Sequence, residues 1–491
     1  MIIGSGAGGG PIAWQLTEAG RKVAIIEAGG FYTTNDFNRF ELLALRRLWW
    51  KPRWTSNYEL GRDNDEEIGL GMGRCVGGST TIFTAVAHRA PSWNYREWFE
   101  ATGVRSSRSG GEPLSEEDLV PYYEQVEKDT GVRRYTEWDE GLKKIDQGFR
   151  KLGHPFTPVN AYISRQCDQS GCLFGCPTEA KKGTLVTYVI PSILNGAEIF
   201  YNSTVTKILF EKPASNNERP RAYGVELVSS DTGSAKRLTS KVVIVAAGAL
   251  NTPFLLLDSG IKEVADHSKS SEQVGRNFGV NTAAMVFGKF DEVLNDWILH
   301  PLSGHMDEFA RKEKGGFLLE ASEVMEGPLS FSELITDEEG IPLWGAMQKS
   351  VMKDYGKFAG IFINIHDANN GRIFRDPETG QEKFHKPVTG EDKAKFRAAR
   401  ALCREGLYAA GARETFGSLY VSHHVQGSCR MGEDTSKSVV NSSCESHDID
   451  NLYIVDGSII PSVVDANPSL TIMAFSKRLG AHLLSNLFIK N

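Results

Sequence analysis

The sequence predicts an α/β fold, α+β when the whole chain is counted, and three observations predict it. A glycine-rich turn, Gly4-Ser5-Gly6-Ala7-Gly8-Gly9, follows the apolar pair Ile2-Ile3 and precedes a helix-like stretch from Pro11 to Gly20. A second apolar strand, Lys22-Val23-Ala24-Ile25-Ile26, ends on the acidic Glu27. Further on, strand-like segments between residues 197 and 245 give way to a region, 280 to 420, of mixed strands and acidic turns.

The first thirty residues read as a βαβ unit. Gly4, Gly6 and Gly9 fit G-x-G-x-x-G, in which the glycines permit a tight turn, close approach of backbone to a pyrophosphate, and close helix-strand packing. Glu27 stands about twenty residues on, where a carboxylate hydrogen-bonds a ribose hydroxyl. That context makes this half Rossmann-like. Glu27 would repel a 2′-phosphate, so the expected ligand is FAD or NAD and not NADP. With only three residues before the loop, the first strand is short, and the expectation is that part of it, with any targeting segment, lies upstream.

At 491 residues the chain exceeds what one hydrophobic core supports, so two domains are expected. Apolar residues make up 40% and charged residues 24%, which sets global disorder aside. A net charge of −7 without a long basic run argues against nucleic acid or an anionic membrane as the main partner. No apolar window approaches the ~18 residues of a spanning helix. The compartment stays open, with the cytoplasm the default expectation.

Taken in order, residues 31 to 70, with Trp49, Trp50 and Trp54, are expected to cover the nucleotide. Gly71 to Thr81 is a second glycine-rich loop, read either as backbone packed on a flat ligand or as a surface loop. Ser115-Glu116-Glu117-Asp118 is a capping signature that predicts a helix from Leu114 to Gly131, with Tyr122 and Tyr123 as packing residues. Strands are expected at Ala197–Tyr201, Val205–Leu209, Ala222–Leu227 and Val242–Val245, a small meander returning to a central parallel strand. Gly248 to Pro253 is then a further strand-turn-helix junction.

These blocks together resemble the glucose-methanol-choline (GMC) flavoprotein oxidoreductases over nearly the full length. The resemblance rests on the first loop with Glu27, on Gly73-Arg74-Cys75-Val76-Gly77-Gly78-Ser79-Thr80, on Gly248 to Ile261, and on His424 to Ala474. It implies bound FAD and oxidation of an alcohol to a carbonyl with hydride passing to the flavin. The substrate would be a sugar, glycoside, polyol or other alcohol, and the acceptor oxygen, a carrier protein or another acceptor, with a partner subunit as one option. Besides Gly4, Gly6, Gly9 and Glu27, it places Arg74, Gly77, Gly78, Ser79, Thr80, Val205, Gly248, Asp456, Gly457 and Pro468 at the cofactor. His424, three before Gly427, matches the catalytic histidine, with His423 as the alternative, and Asn467 matches the second member of the catalytic pair. A histidine titrating near neutrality suits removal of a hydroxyl proton. Asn467 is also expected to be a helix N-cap, with Pro468 at the first helical position. The implied architecture is an FAD-binding domain built from 1–100, 195–280 and 420–491, and a discontinuous substrate domain of 101–194 and 281–419, with an antiparallel sheet and helices.

Three departures from the family pattern matter. Ile82 stands where members with covalently attached flavin have histidine, so the FAD is expected to be non-covalent. Phe83 stands where Asn or His is preferred, and Lys262 where a glycine is. Cys167, Cys172 and Cys176, ending in Cys-Pro, resemble part of an iron-sulfur run, which would suit a [3Fe-4S] or similar cluster; Gln166 stands where such relatives have a further cysteine. Gly171-Cys172-Leu173-Phe174-Gly175-Cys176 also resembles a segment of the long-chain alcohol oxidases, in which the cysteines would be structural thiols. Non-redox alternatives are a lyase of the same fold and a flavin-binding subunit without catalysis.

Overall fold

In the computed structural model, the described residues are 1–50, 68–106, 111–164, 167, 171–211, 218–297, 300–321 and 327–487. Trp54 and Gln166 lie outside them. The strand Ile2–Ile3, short as it is, sits in the middle of a five-stranded parallel sheet. It pairs with Ala24–Ile26 on one side and Val243–Val245 on the other, Ile2 facing Ile25 and Ile244. Leu452–Ile454 and Glu198–Phe200 complete the edges. The four strands other than Glu198–Phe200 are apolar and almost wholly buried, as in a parallel sheet covered on both faces. The glycine loop leaves the sheet where neighbouring strands run out to opposite sides, the position at which doubly wound sheets hold ligands.

Two details differ from expectation. Glu198–Phe200 belongs to the parallel sheet and not to the meander, whose three strands are Ser203–Glu211, Arg221–Ser229 and Ala235–Thr239. The last of these carries no apolar alternation because it is an exposed edge bearing Lys236 and Arg237, and charged edges resist unwanted pairing. The predicted helix is present as Glu116–Thr130, with Asp118 accepting from the Ser115 N–H at 3.0 Å and Gly131 as a left-handed C-cap. Tyr123 is buried, its hydroxyl within hydrogen-bonding distance of Tyr95 and Thr471.

The second layer is a nine-stranded sheet, antiparallel along its main path: Ile335–Thr336, Glu414–Ser418, Ala283–Lys289, Phe358–Ile365, Phe317–Ala321, Gly304–Met306 and Thr157–Pro158. Tyr420–Ser422 also pairs with Ala283–Lys289 and links in parallel to Ile68–Leu70. Every residue of Phe358–Ile365 is buried, since helices Glu140–Lys151 and Gly390–Ala409 pack against this sheet. The C-terminal helix Ser469–Asn486 packs on Gly9–Glu18 and Glu116–Thr130, its buried Lys477 paired with Asp129 at 2.8 Å. Among the described residues no helix is long and apolar enough to cross a membrane.

Candidate active site

The first loop is made by sterics. Gly4 has φ +97° and a Cβ there would run into the Ala246 carbonyl; a Cβ on Gly9 would run into the carbonyl of Gly4. Helix Gly9–Glu18 has Gly8 at its N-cap, no side-chain cap and no acidic residue in its first turn, so its positive end is left for an anion. Glu27 is buried at the end of its strand and accepts from Ser5 N–H at 3.1 Å, Ser5 Oγ at 2.7 Å and Gly29 N–H at 2.9 Å. Burial raises its pKa, and these bonds oppose the rise.

Ser5 Oγ also accepts from Gly77 N–H at 2.9 Å, which ties the second glycine loop to the first. Gly77 and Gly78 both have positive φ and lead into a turn, Gly78–Thr81. Thr80 Oγ1 locks it by donating to Gly77 O at 2.7 Å. At the third junction, Gly248 (φ +85°) donates its N–H to Asp456 at 2.9 Å, while Thr252 Oγ1 and Ser458 N–H bind the same carboxylate at 2.6 and 2.8 Å. Asp456 therefore organises the junction.

These loops line one cavity of about 600 Å³. Gly4, Gly6, Glu27, Arg74 and Val205 line it, as do Gly78, Ser79, Thr80, Gly248, Asp456, Gly457 and Pro468. Gly9 and Gly77 lie behind the wall as packing and turn residues. Both His424 and Asn467 reach the cavity, and they meet: Asn467 Nδ2 is 3.4 Å from His424 Nε2. Burial pushes the His424 imidazole down to about 3, with the adjacent His423 adding to the shift. The imidazole is therefore neutral at neutral pH, the form from which a proton can be taken up, and burial makes it a weaker base than the near-neutral histidine the sequence suggested. His423 also lines the cavity but stacks edge-on against Trp49, 5.8 Å between ring centres, and has no contact with Asn467 among the hydrogen bonds of either side chain.

The helix expected to be capped by Asn467 starts at Ser469, and Asn467 Oδ1 makes no hydrogen bond. Its amide nitrogen turns instead to His424 and, at 3.4 Å, to Glu320 Oε2. Glu320 was not anticipated. It projects from the otherwise apolar strand Phe317–Ala321, fully buried, accepts from Asn364 Nδ2 at 2.7 Å, and burial raises it to about 7. The signal was there: one carboxylate in Phe-Leu-Leu-Glu-Ala, a cost that packing alone does not explain.

The sequence profile of the GMC oxidoreductases matches residues 22–283 with its N-terminal part and 371–476 with its C-terminal part. The chain belongs to the GMC oxidoreductase family. Among its relatives, the long-chain-alcohol oxidase FAO4B of Arabidopsis thaliana is 25% identical over 99% of this chain and 67% of its own length. A 2-methyl-1,2-propanediol dehydrogenase of Mycolicibacterium austroafricanum is 23% identical over 98% and 94%. The crystal structure of pyridoxine 4-oxidase from Mesorbium loti superposes with a TM-score of 0.72 at 20% identity, covering 99% of both chains. This chain spans about two thirds of the length of the long-chain-alcohol oxidases it matches.

As a GMC oxidoreductase the protein is an FAD-dependent enzyme, and its cavity suits that cofactor: uncapped helix start, buried carboxylate and two tight glycine loops converge on it. Among the described residues nothing supports an iron-sulfur cluster at the three cysteines. Among the described residues one group of three or more potential ligands has its ligand atoms within 4.8 Å of one another, Glu97, His366 and Asp465, and the three cysteines do not form another. Cys176 Sγ instead accepts from Lys181 N–H at 3.4 Å. Lys181 Nζ donates to the carbonyls of Thr81, Phe83 and Cys172 at 2.8, 3.1 and 2.5 Å, so a buried ammonium fastens the cysteine segment to the second glycine loop. No two of the seven cysteines form a disulfide. The Glu97 group is a brace and not a vacant ligand set: His366 Nδ1 lies 2.5 Å from Asp465 Oδ1, and Asp465 Oδ2 is taken by Trp93 and Asn94.

Proposed function

We propose that this enzyme oxidises an alcohol bearing an apolar carbon chain to the carbonyl, with His424 as the base and Asn467 orienting the substrate oxygen. The apolar wall beside that pair carries the proposal. Met285, Leu302, Leu334 and Phe362 line the cavity from the antiparallel layer, and Phe362 is the cross-strand partner of Glu320, which contacts Asn467. Such a wall offers a sugar or polyol few partners for its hydroxyls, whereas an alkyl chain gains ~0.8 kcal/mol per buried methylene. That several relatives are named long-chain-alcohol oxidases supports the same substrate class.

Bound FAD supplies the acceptor for a hydride from the carbinol carbon. Neutral His424 takes the hydroxyl proton on Nε2 as the C–H bond breaks, while the Asn467 amide holds the oxygen in place. Phe83 and Ile82 line the cavity without a nucleophile, which supports non-covalent attachment. Oxygen is the acceptor favoured by the oxidase names among the relatives, and the separate parallel and nine-stranded sheets support a division into an FAD-binding and a substrate domain, with Ile68–Leu70 and Tyr420–Ser422 of the first joining the sheet of the second.

The test is anaerobic bleaching of the flavin by a series of primary alcohols. Rates rising with chain length, a hexose far slower, and a loss of about 10²–10⁴-fold in His424→Ala are expected. A hexose outrunning every alkanol would overturn the substrate class, and an undiminished His424→Ala rate would overturn the base. Peroxide released per aldehyde in air identifies oxygen as acceptor if the two match.

A further inference from the structure

The segment Val463-Val464-Asp465 leads into Asn467 without regular secondary structure, and each of its three N–H groups is taken by a side-chain amide from a different part of the chain. Val463 donates to Asn369 Oδ1 at 3.1 Å, Val464 to Gln426 Oε1 at 3.1 Å, and Asp465 to Asn94 Oδ1 at 2.9 Å. Gln426 differs from the other two. Its Nε2 donates to the carbonyl of His424 at 3.2 Å and to Asn281 Oδ1 at 2.6 Å. One planar amide thus joins the His424 loop to the Asn467 loop, and both to the residues that open strand Ala283–Lys289, whose Met285 lines the cavity.

Gln426 has no solvent exposure, and its backbone is held in turn by reciprocal bonds with Gly279 at 2.9 and 3.0 Å. The bridge has little freedom to shift. His424 Nε2 and Asn467 Nδ2, at 3.4 Å, stand at the outer limit of hydrogen-bonding distance, so a small loop displacement would decide whether the pair can address one oxygen. We propose that Gln426 is a positioning residue, which fixes the spacing of His424 and Asn467 by bridging their loops and never touches the substrate. The inference rests on the assignment of that pair above.

A residue that only satisfied the Val464 N–H would matter for stability and not for the pair. The experiment is stopped-flow flavin reduction in Gln426→Met, Asn467→Ala and the double variant, with FAD content and substrate Kd measured alongside. Gln426→Met is expected to slow reduction about 10-fold with FAD stoichiometric and Kd within about 2-fold. On the Asn467→Ala background the same change should add less than about 3-fold, because the spacing it protects no longer matters. A Gln426→Met rate equal to wild type, or losses that multiply in full, would overturn the proposal. Should Gln426→Met not fold, Gln426→Glu keeps the acceptor for Val464 but loses the donor to His424; slowed reduction with full FAD supports the bridge, and an unchanged rate overturns it. Undiminished activity in Asn467→Ala alone would instead remove the assignment of the pair, separately from the bridge.

Discussion

Glu320 shows what a single buried carboxyl can do beside a catalytic pair. Its two donors, the amides of Asn364 and Asn467, oppose the rise caused by burial but leave it at about 7. The folded protein therefore holds this proton more tightly than the unfolded chain does. As pH climbs from the unfolded value near 4.5 through 7, ionising Glu320 costs the fold roughly 3 kcal/mol. Glu320→Gln removes that cost while preserving shape. In thermal unfolding at pH 5 to 8, the variant should gain on wild type up to about pH 7 and the gain should level off above it. Parallel melting curves across this range would show that Glu320 is not the group that titrates. His424 and Asn467 were legible in the sequence because they sit in a dense local motif. Glu320 reaches them only through the pairing of Phe317–Ala321 with Phe358–Ile365, a contact that spacing along the chain does not encode.

At the scale of the element, the C-terminal helix corrects a plausible local rule. Asn before Pro before an apolar helix is a strong N-cap pattern, yet the amide of Asn467 serves His424 and Glu320 and the helix begins two residues later. Local propensity gave way to the site. Helix Gly390–Ala409 supplies the contrast: Thr389 Oγ1 accepts from Asp392 N–H at 3.1 Å, and the Asp392 carboxylate accepts in turn from Thr389 N–H at 2.9 Å. Thr389→Ala should cost about 1 kcal/mol in chemical denaturation and leave flavin reduction unchanged. Asn467→Ala should do the opposite, slowing reduction strongly while costing clearly less than that cap. If the two variants lose stability equally, Asn467 is a cap after all. The elements nearest the glycine loops were readable because steric demands there are local. The edge strand Ala235–Thr239 was not, since its residues are chosen for solvent and against pairing.

For the whole molecule, the cavity is the joint between two sheets of different character. Its wall is drawn from Ile3 near the start of the chain to Ile472 in the last helix, and from both the parallel and the antiparallel layers. A ligand that fills it binds the folded state alone, because no unfolded segment contains the site. Its contribution to stability is then set by mass action, about 2.7 kcal/mol when free FAD is 100-fold above its Kd. Deflavinated protein should melt several degrees below the holoenzyme, and its Tm should climb with added FAD. Gly4→Ala provides the control, since a Cβ at φ +97° facing the Ala246 carbonyl displaces the loop that would receive the pyrophosphate. That variant should melt low and respond weakly to FAD, whereas His424→Ala, which leaves the glycine loops unchanged, should respond like wild type. Equal melting of apo and holo protein at every FAD concentration would mean that the two sheets hold together without the cofactor, and that the glycine loops serve packing rather than binding.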